Sequence, residues 1–103
     1  MNYNGWTNYS TWAVNLWLAN DEGLYDGVID QLGGLRHSAD TEARLAYRLA
    51  EWLKESVREA LEYDEPASMK ADLLGYALDL VNWREIAESW IEDYPDDDEP
   101  EAA

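Results

Sequence analysis

The sequence contains no cysteine and no phenylalanine, and it has only two lysines, Lys54 and Lys70. The absence of cysteine excludes disulfide bonds, thiolate metal sites and a cysteine nucleophile. No apolar run approaches the roughly 20 residues that a membrane-spanning helix needs. The chain also does not begin with a basic stretch followed by an apolar one, so we expect a cytoplasmic protein that does not associate with membranes.

Positive charge is scarce and negative charge abundant. The chain has 23 acidic and 7 basic side chains, a formal net charge of −16, and none of these charges precedes Asp21. A surface of this kind repels nucleic acid, so a partner steered by charge should present a basic protein surface. A hydrophobic content of 47% with six tryptophans argues against disorder, because disordered acidic chains are poor in aromatic residues. A length of 103 residues fits one domain.

Apolar residues recur at spacings of three and four, which predicts an all-α fold. We expect a compact bundle of about five helices, with residues 1–94 as a single helical domain and 95–103 as a disordered acidic tail. The predicted helices run from Asn8 or Ser10 to Ala19, from Asp21 to Leu32, from Asp40 to Tyr63, from Ser68 to Leu80 and from Asn82 to Tyr94. Gly33-Gly34 is expected to end the second helix, with a loop over 35–39.

The first predicted helix is apolar around most of its circumference, which is typical of a helix buried inside a domain. Six residues are therefore predicted as core and scaffold: Trp12, Leu16, Trp17, Trp52, Trp83 and Trp90. In the fourth helix, burial is expected for Met69, Leu73, Leu74, Ala77, Leu78 and Val81. The alternative is a pocket for a small molecule or peptide with Trp6 or Trp12 at its mouth, because tryptophan is enriched at binding hot spots.

Acidic residues recur at helical spacing on three of the predicted helices. They are Glu22, Asp26 and Asp30 on the second helix, Glu51, Glu55, Glu59 and Glu62 on the third, and Glu85, Glu88 and Glu92 on the fifth. With a rise of about 1.5 Å per residue, neighbouring carboxylates lie roughly 5–6 Å apart. This spacing is in the range of the phosphates along a DNA strand. A generic solvated surface is the alternative interpretation.

Basic residues relieve the repulsion mainly on the third helix, where Arg48, Lys54 and Arg58 alternate with the acids. The candidate partner-binding residues are therefore those of the second and fifth helices together with the tail: Glu22, Asp26, Asp30, Glu85, Glu88, Glu92, Asp96, Asp97 and Asp98.

No pattern in the sequence indicates an enzyme. His37 is the single histidine, and no serine or acid is ordered around it as in a catalytic triad. Asp96-Asp97-Asp98-Glu99 lacks the spaced ligands and central glycine of an EF-hand loop. We expect no catalytic residue, no metal site and no cofactor.

The stretch from Trp6 to Tyr25 resembles the signature T-N-x-x-T-W-x-V-x-L-W-x-x-N-D-x-x-x-Y of a family of small uncharacterised proteins encoded by phages, archaeal viruses and plasmids. The matching positions are Thr7, Asn8, Thr11, Trp12, Val14, Leu16, Trp17, Asn20, Asp21 and Tyr25. The resemblance covers about a fifth of the chain and carries no activity. It implies a mobile element in a prokaryotic host as the setting.

Two functional hypotheses follow. In the first, the protein is a non-enzymatic inhibitor of the anti-CRISPR or antirestriction type, which binds a host nucleic-acid-binding defence complex by DNA mimicry. It would act as a monomer or homodimer in the host cytoplasm and would not itself bind nucleic acid. In the second, it is a structural or accessory viral protein whose acidity is a solubility adaptation to high salt.

Overall fold

The computed structural model describes residues 3–61 and 68–95, and within these ranges the chain forms five α-helices. They are α1 (Tyr9–Asn20), α2 (Glu22–Ser38), α3 (Glu42–Ala60), α4 (Met69–Asp79) and α5 (Trp83–Asp93). The predicted all-α fold of five helices is confirmed. The predicted end of the third helix at Tyr63 and the predicted acidic tail after Pro95 lie outside the described residues.

Each helix begins directly after a residue whose side chain caps it. The capping residues are Asn8, Asp21, Thr41, Ser68 and Asn82, and each accepts a hydrogen bond from the backbone N–H three positions later. Such a bond satisfies one of the amide groups that the first turn of a helix leaves without a partner. These local signals explain why the helix starts are visible in the sequence.

The predicted end of α2 at Gly33-Gly34 is wrong, because the helix continues to Ser38. Each glycine costs about 1 kcal/mol in a helix relative to alanine. Tertiary contacts beyond the glycines offset that cost. Leu35 packs against the core, and Arg36 Nη2 donates a hydrogen bond to the carbonyl oxygen of Ile91 at 3.1 Å.

The core is built around α3, which packs most extensively against α5 and also contacts α2. Leu49 and Leu53 of α3 and Ile86 of α5 are fully buried, and Val28 and Leu32 of α2 close the core from the other side. The buried sides of α3 and α5 thus face one another. This is the arrangement that the strong helical periodicity of α3 predicts.

The tryptophans outside α1 differ in their burial. Trp90 is 3% exposed, whereas Trp52 and Trp83 are half-buried and pack against the edge of the core. Trp6 is also half-buried against the core, although it precedes the first helix.

The prediction that Leu16 and Trp17 lie in the core is wrong, since their side chains are 40% and 67% exposed. Helix α1 carries apolar residues on two opposite sides, and only one side is covered. The covered side carries Thr11, Val14, Asn15 and Leu18, of which Thr11 and Leu18 are buried. Trp12 is half-buried on the flank. Periodicity cannot tell which of two apolar sides faces the core.

Helix α4 likewise has an apolar side that is exposed. The predicted burial of Met69 and Leu73 is wrong, because they are 79% and 65% exposed. The buried side of α4 is formed by Gly75 and Leu78. Opposite it, Met69, Leu73, Tyr76 and Leu80 form an exposed apolar stripe at spacings of four, three and four residues.

A tight turn precedes α1. Tyr3 and Trp6 exchange two backbone hydrogen bonds of 2.7 and 2.8 Å across Asn4-Gly5. Both central residues have positive φ, 48° at Asn4 and 90° at Gly5. Asn-Gly is the residue pair most favoured where two successive positive φ values are required. The turn brings the ring of Tyr3 to 5.1 Å from Tyr9 and 5.0 Å from Trp12.

The hydroxyl of Tyr94 is expected to titrate above its ordinary range. Two effects raise the pKa of Tyr94 above 10.0: a hydrogen bond with Tyr25, which is the larger, and burial of the hydroxyl. A group whose pKa is higher in the folded state contributes full stability below its unfolded pKa, and that contribution is lost as pH rises through the folded value. We therefore expect the free energy of unfolding to fall above a pH of about 10, and to fall less in Tyr94→Phe.

The measurement is the tyrosinate absorbance of the wild type minus that of Tyr94→Phe, which isolates the titration of this residue. The variant Tyr25→Phe should move the difference titration back toward 10.0, the ordinary value, because it removes the largest cause of the shift. A Tyr94 that titrates at or below that value in the wild type would contradict the prediction.

Candidate interaction surfaces

Polar residues at the N-terminal end of α1 join this helix to the turn between α4 and α5. Asn8 Oδ1 accepts hydrogen bonds from the backbone N–H and the hydroxyl of Thr11, at 2.9 and 2.8 Å. Asn8 Nδ2 donates to the carbonyl oxygen of Leu80 at 2.7 Å, and Thr11 Oγ1 accepts from the backbone N–H of Asn82 at 2.8 Å. Asn8 and Thr11 therefore hold the fold together, and no interaction surface is needed to explain them.

Thr7 and Asn15 extend this network. The backbone N–H of Thr7 donates to Glu85 Oε1 at 3.1 Å, and Asn15 Oδ1 accepts the indole N–H of Trp90 at 2.7 Å. Thus the backbone of Thr7 and the side chains of Thr11 and Asn15 are tied to α5 or its N-terminal cap. We call the contacts of Thr7, Asn8, Thr11 and Asn82 the polar junction.

The three predicted acids of α5 lie on one side of that helix, facing away from the core, but they do not share one environment. Glu85 is half-buried and accepts the bond from Thr7, so it serves the fold. Glu88 is exposed and pairs with Arg84 at 2.9 Å in an exposed (i, i+4) ion pair. Such pairs contribute about 0–1 kcal/mol, so Glu88 can exchange Arg84 for another cation at little cost. Glu92 is exposed.

A shallow depression lies on each side of this row of acids. On one side the depression is lined by Gly5, Trp6, Glu85, Glu88, Ser89 and Glu92. On the other side, towards α3, the floor is apolar and consists of Ala43, Ala46 and Ile91. Its edge carries the carboxylates of Glu42, Glu88 and Glu92 together with Arg84, the ion-pair partner of Glu88. We call Glu88 and Glu92, with these two depressions, the α5 acidic ridge.

The predicted acids of α2 are all exposed: Glu22, Asp26 and Asp30. They follow one another at intervals of four residues, a rise of about 6 Å along the helix axis. His37, seven residues beyond Asp30, is exposed and continues the same side of the helix. The basic residue of α2, Arg36, is bonded to Ile91 and does not neutralise this side.

Helix α3 has a balanced charge. Its acids are Glu42, Glu51, Glu55 and Glu59, and its bases are Arg44, Arg48, Lys54 and Arg58. The excess negative charge of the described helices therefore lies mainly on α2 and α5, the two helices that the sequence singled out. The remaining candidates, Asp96, Asp97 and Asp98, lie outside the described residues.

The described ranges hold no group of three or more His, Asp or Glu side chains arranged to bind a metal ion. Nor does any helix within them have the length and apolarity needed to cross a membrane. A depression with Trp6 in its wall exists, as the pocket alternative requires. It is shallow and surrounded by carboxylates, which favours a cationic group over an apolar ligand.

Two features were missed by sequence reasoning. The Asn4-Gly5 turn carries a recognisable signal, because two residues that tolerate positive φ stand side by side. The exposed apolar sides of α1 and α4 carry no such signal, because an exposed and a buried apolar stripe have the same spacing.

Comparison with curated proteins and with solved structures finds no match. The model of one protein family matches residues 1–94, and this range includes all five helices and ends at Tyr94, directly after α5. The chain therefore belongs to that family, the family of unknown function DUF7249.

Proposed function

We propose that this protein is a non-enzymatic binding protein that attaches to a basic surface of a nucleic-acid-binding protein. The observation that carries the proposal is the α5 acidic ridge. Glu88 and Glu92 stand exposed between two depressions, one with an aromatic wall at Trp6 and one with an apolar floor at Ala46 and Ile91.

This combination suits lysine and arginine side chains. Their aliphatic stems pack on apolar surface while their charged ends stay near solvent or a counter-ion. The floor at Ala46 and Ile91 could take such a stem, and Glu88 and Glu92 could take the charged end. On the other side, the ring of Trp6 adds a cation–π contact, which is worth about 0.5–1 kcal/mol at exposed sites.

The acids of α2 would extend the attraction beyond the ridge. Glu22, Asp26 and Asp30 advance at a spacing comparable with that of DNA phosphates. A basic groove that binds DNA could therefore bind this row of carboxylates instead. The finer proposal is that the protein comes from a phage or mobile element and inhibits a host defence complex of the CRISPR or restriction type by DNA mimicry.

Charge reversal on the α5 acidic ridge tests the proposal. We expect the double variant Glu88→Lys, Glu92→Lys to bind at least about tenfold more weakly than the wild type, because it replaces two attractions with two repulsions. The matched control is Glu51→Lys, Glu55→Lys on α3, which changes the net charge equally at two exposed positions of the balanced helix. The readout is competition with fluorescent target DNA for purified CRISPR effector complexes and restriction enzymes.

Salt supplies a second arm of this experiment. Binding of the wild type should weaken as ionic strength rises, because exposed charges are screened over about 10 Å at 0.1 M salt. Equal loss of binding in both double variants would show that only net charge matters and would refute a specific ridge. Absence of competition by the wild type with every DNA-binding complex would refute DNA mimicry.

A further inference from the structure

We propose that the outward side of α1 binds a second copy of this chain and makes the protein a homodimer. This aromatic face consists of Tyr3, Tyr9, Trp12, Leu16 and Trp17. Tyr9 and Trp17 are 58% and 67% exposed, and Tyr3 and Leu16 about two-fifths exposed. The rings of Tyr3, Tyr9 and Trp12 lie within 5.5 Å of one another, so one end of the face is already ordered.

The area of the aromatic face is appropriate for a dimer contact. A large aromatic side chain offers about 150–250 Å² of surface. The exposed fractions of Tyr3, Tyr9, Leu16 and Trp17 therefore amount to roughly 400 Å². A stable interface buries about 800 Å² on each partner, so these four side chains would supply about half of it. Tyrosine and tryptophan are also the residues that carry most of the binding energy in known interfaces.

The distribution of charge favours a second copy of the chain as the partner that covers the aromatic face. Each copy has a net charge of −16, so contact between copies is favourable only where the acids stay away from the interface. Residues 3–20 contain no charged side chain, and their polar members are neutral asparagine, serine and threonine. A basic partner finds no carboxylate on this uncharged side and would be drawn to the acids instead. A second copy of α1 is neutral as well, and it can place Trp17 against the Tyr9 end across a twofold axis.

The exposed stripe of α4 fits a second copy less well. Met69, Leu73 and Tyr76 offer comparable apolar area, but Asp72 and Asp79 border the stripe on one side. Antiparallel pairing of two such helices about a twofold axis would bring these like charges together, which is unfavourable. The aromatic face of α1 has no such neighbour within its own helix.

The test measures the mass of the full chain without any partner, by sedimentation velocity over a wide concentration range. We expect a concentration-dependent monomer–dimer equilibrium that strengthens with added salt, because salt screens the repulsion between the two acidic copies. Binding to a basic partner would respond to salt in the opposite direction. The dimer can therefore fail or succeed independently of the proposed function.

Two matched variants locate the contact. Trp17→Gln should weaken dimerisation at least about tenfold, because it removes the most exposed aromatic side chain of the face. Tyr47→Gln, at a comparably exposed position on α3 (60%), should leave dimerisation unchanged. Trp17→Phe should keep most of the association, and circular dichroism confirms that each variant is folded. A chain that stays monomeric at all concentrations and salt levels would overturn the proposal. So would a dimer that is insensitive to Trp17→Gln but lost in Tyr76→Gln.

Discussion

Replacement of Thr11 by valine is expected to lower the free energy of unfolding by about 2–3 kcal/mol, although valine has nearly the same shape as threonine. Thr11 is fully buried, and its hydroxyl both donates to Asn8 Oδ1 and accepts from the backbone N–H of Asn82. Valine can do neither. The valine variant would leave the backbone N–H of Asn82 without its partner, and it would remove the hydroxyl that donates to Asn8 Oδ1. An unpaired buried polar group costs about 1–3 kcal/mol.

Thermal and urea unfolding measure this effect. For a domain of this size, 1 kcal/mol corresponds to roughly 4–8 °C in Tm, so the expected drop in Tm is on the order of 10 °C. The control is Thr11→Ser, which keeps the hydroxyl and removes only a methyl group, at about 1 kcal/mol. If serine were more damaging than valine, the methyl contact would matter more than the hydrogen bonds, and the polar junction would lose its assigned role.

The polar junction also shows which contacts of the first helix the sequence predicts and which it does not. Thr7, Asn8 and Thr11 are polar residues that stand among aromatic ones near the start of the chain. Their hydrogen bonds to Leu80, Asn82 and Glu85 span more than 70 residues of sequence. Sequence spacing predicts Asn8 as a helix cap, since the bond to Thr11 is local. It cannot predict the partners at the far end of the chain.

Local sequence signals therefore predict where the helices begin, whereas long-range packing determines which side of each helix is buried. Capping residues such as Ser68 and Asn82 start helices where expected, because the interaction is complete within four residues. The end of α2 predicted at Gly33-Gly34 is wrong because the continuation of the helix depends on a long-range contact, the one between Arg36 and Ile91. The exposure of Trp17 is a third case, since both sides of α1 carry apolar residues and the polar junction determines which side is covered.

The acidic surfaces were easier to anticipate than the aromatic face, for a physical reason. A carboxylate without a partner is costly to bury, so a row of acids on a helix predicts an exposed side with few alternatives. The environment of each acid was not predictable. Glu85 has the same spacing as Glu88 and Glu92, yet it accepts a hydrogen bond from Thr7 and is half-buried. The ridge that remains for a partner is accordingly shorter than the predicted stripe.

Replacement of Trp90 by alanine is expected to have the largest effect on stability, about 3–5 kcal/mol. Trp90 is 3% exposed and has Tyr25 and Tyr94 as ring neighbours at 5.6 and 5.2 Å. Its indole N–H also donates to Asn15 Oδ1 at 2.7 Å, so the same side chain joins α5 to α2 and to α1. A domain of this kind has about 5–15 kcal/mol of total stability, so the alanine variant should unfold at markedly lower urea concentration or fail to fold.

Trp90→Phe separates the two contributions of this side chain, because phenylalanine keeps an aromatic ring beside Tyr25 and Tyr94 and lacks the N–H. Combined with Asn15→Ala in a double-mutant cycle, it should yield a coupling energy of about 1 kcal/mol for the hydrogen bond. A coupling near zero would mean that the bond contributes nothing beyond its cost of desolvation. In that case α1 would be held to α5 by apolar contacts and the polar junction alone. The loss in Trp90→Ala would then come entirely from the aromatic packing.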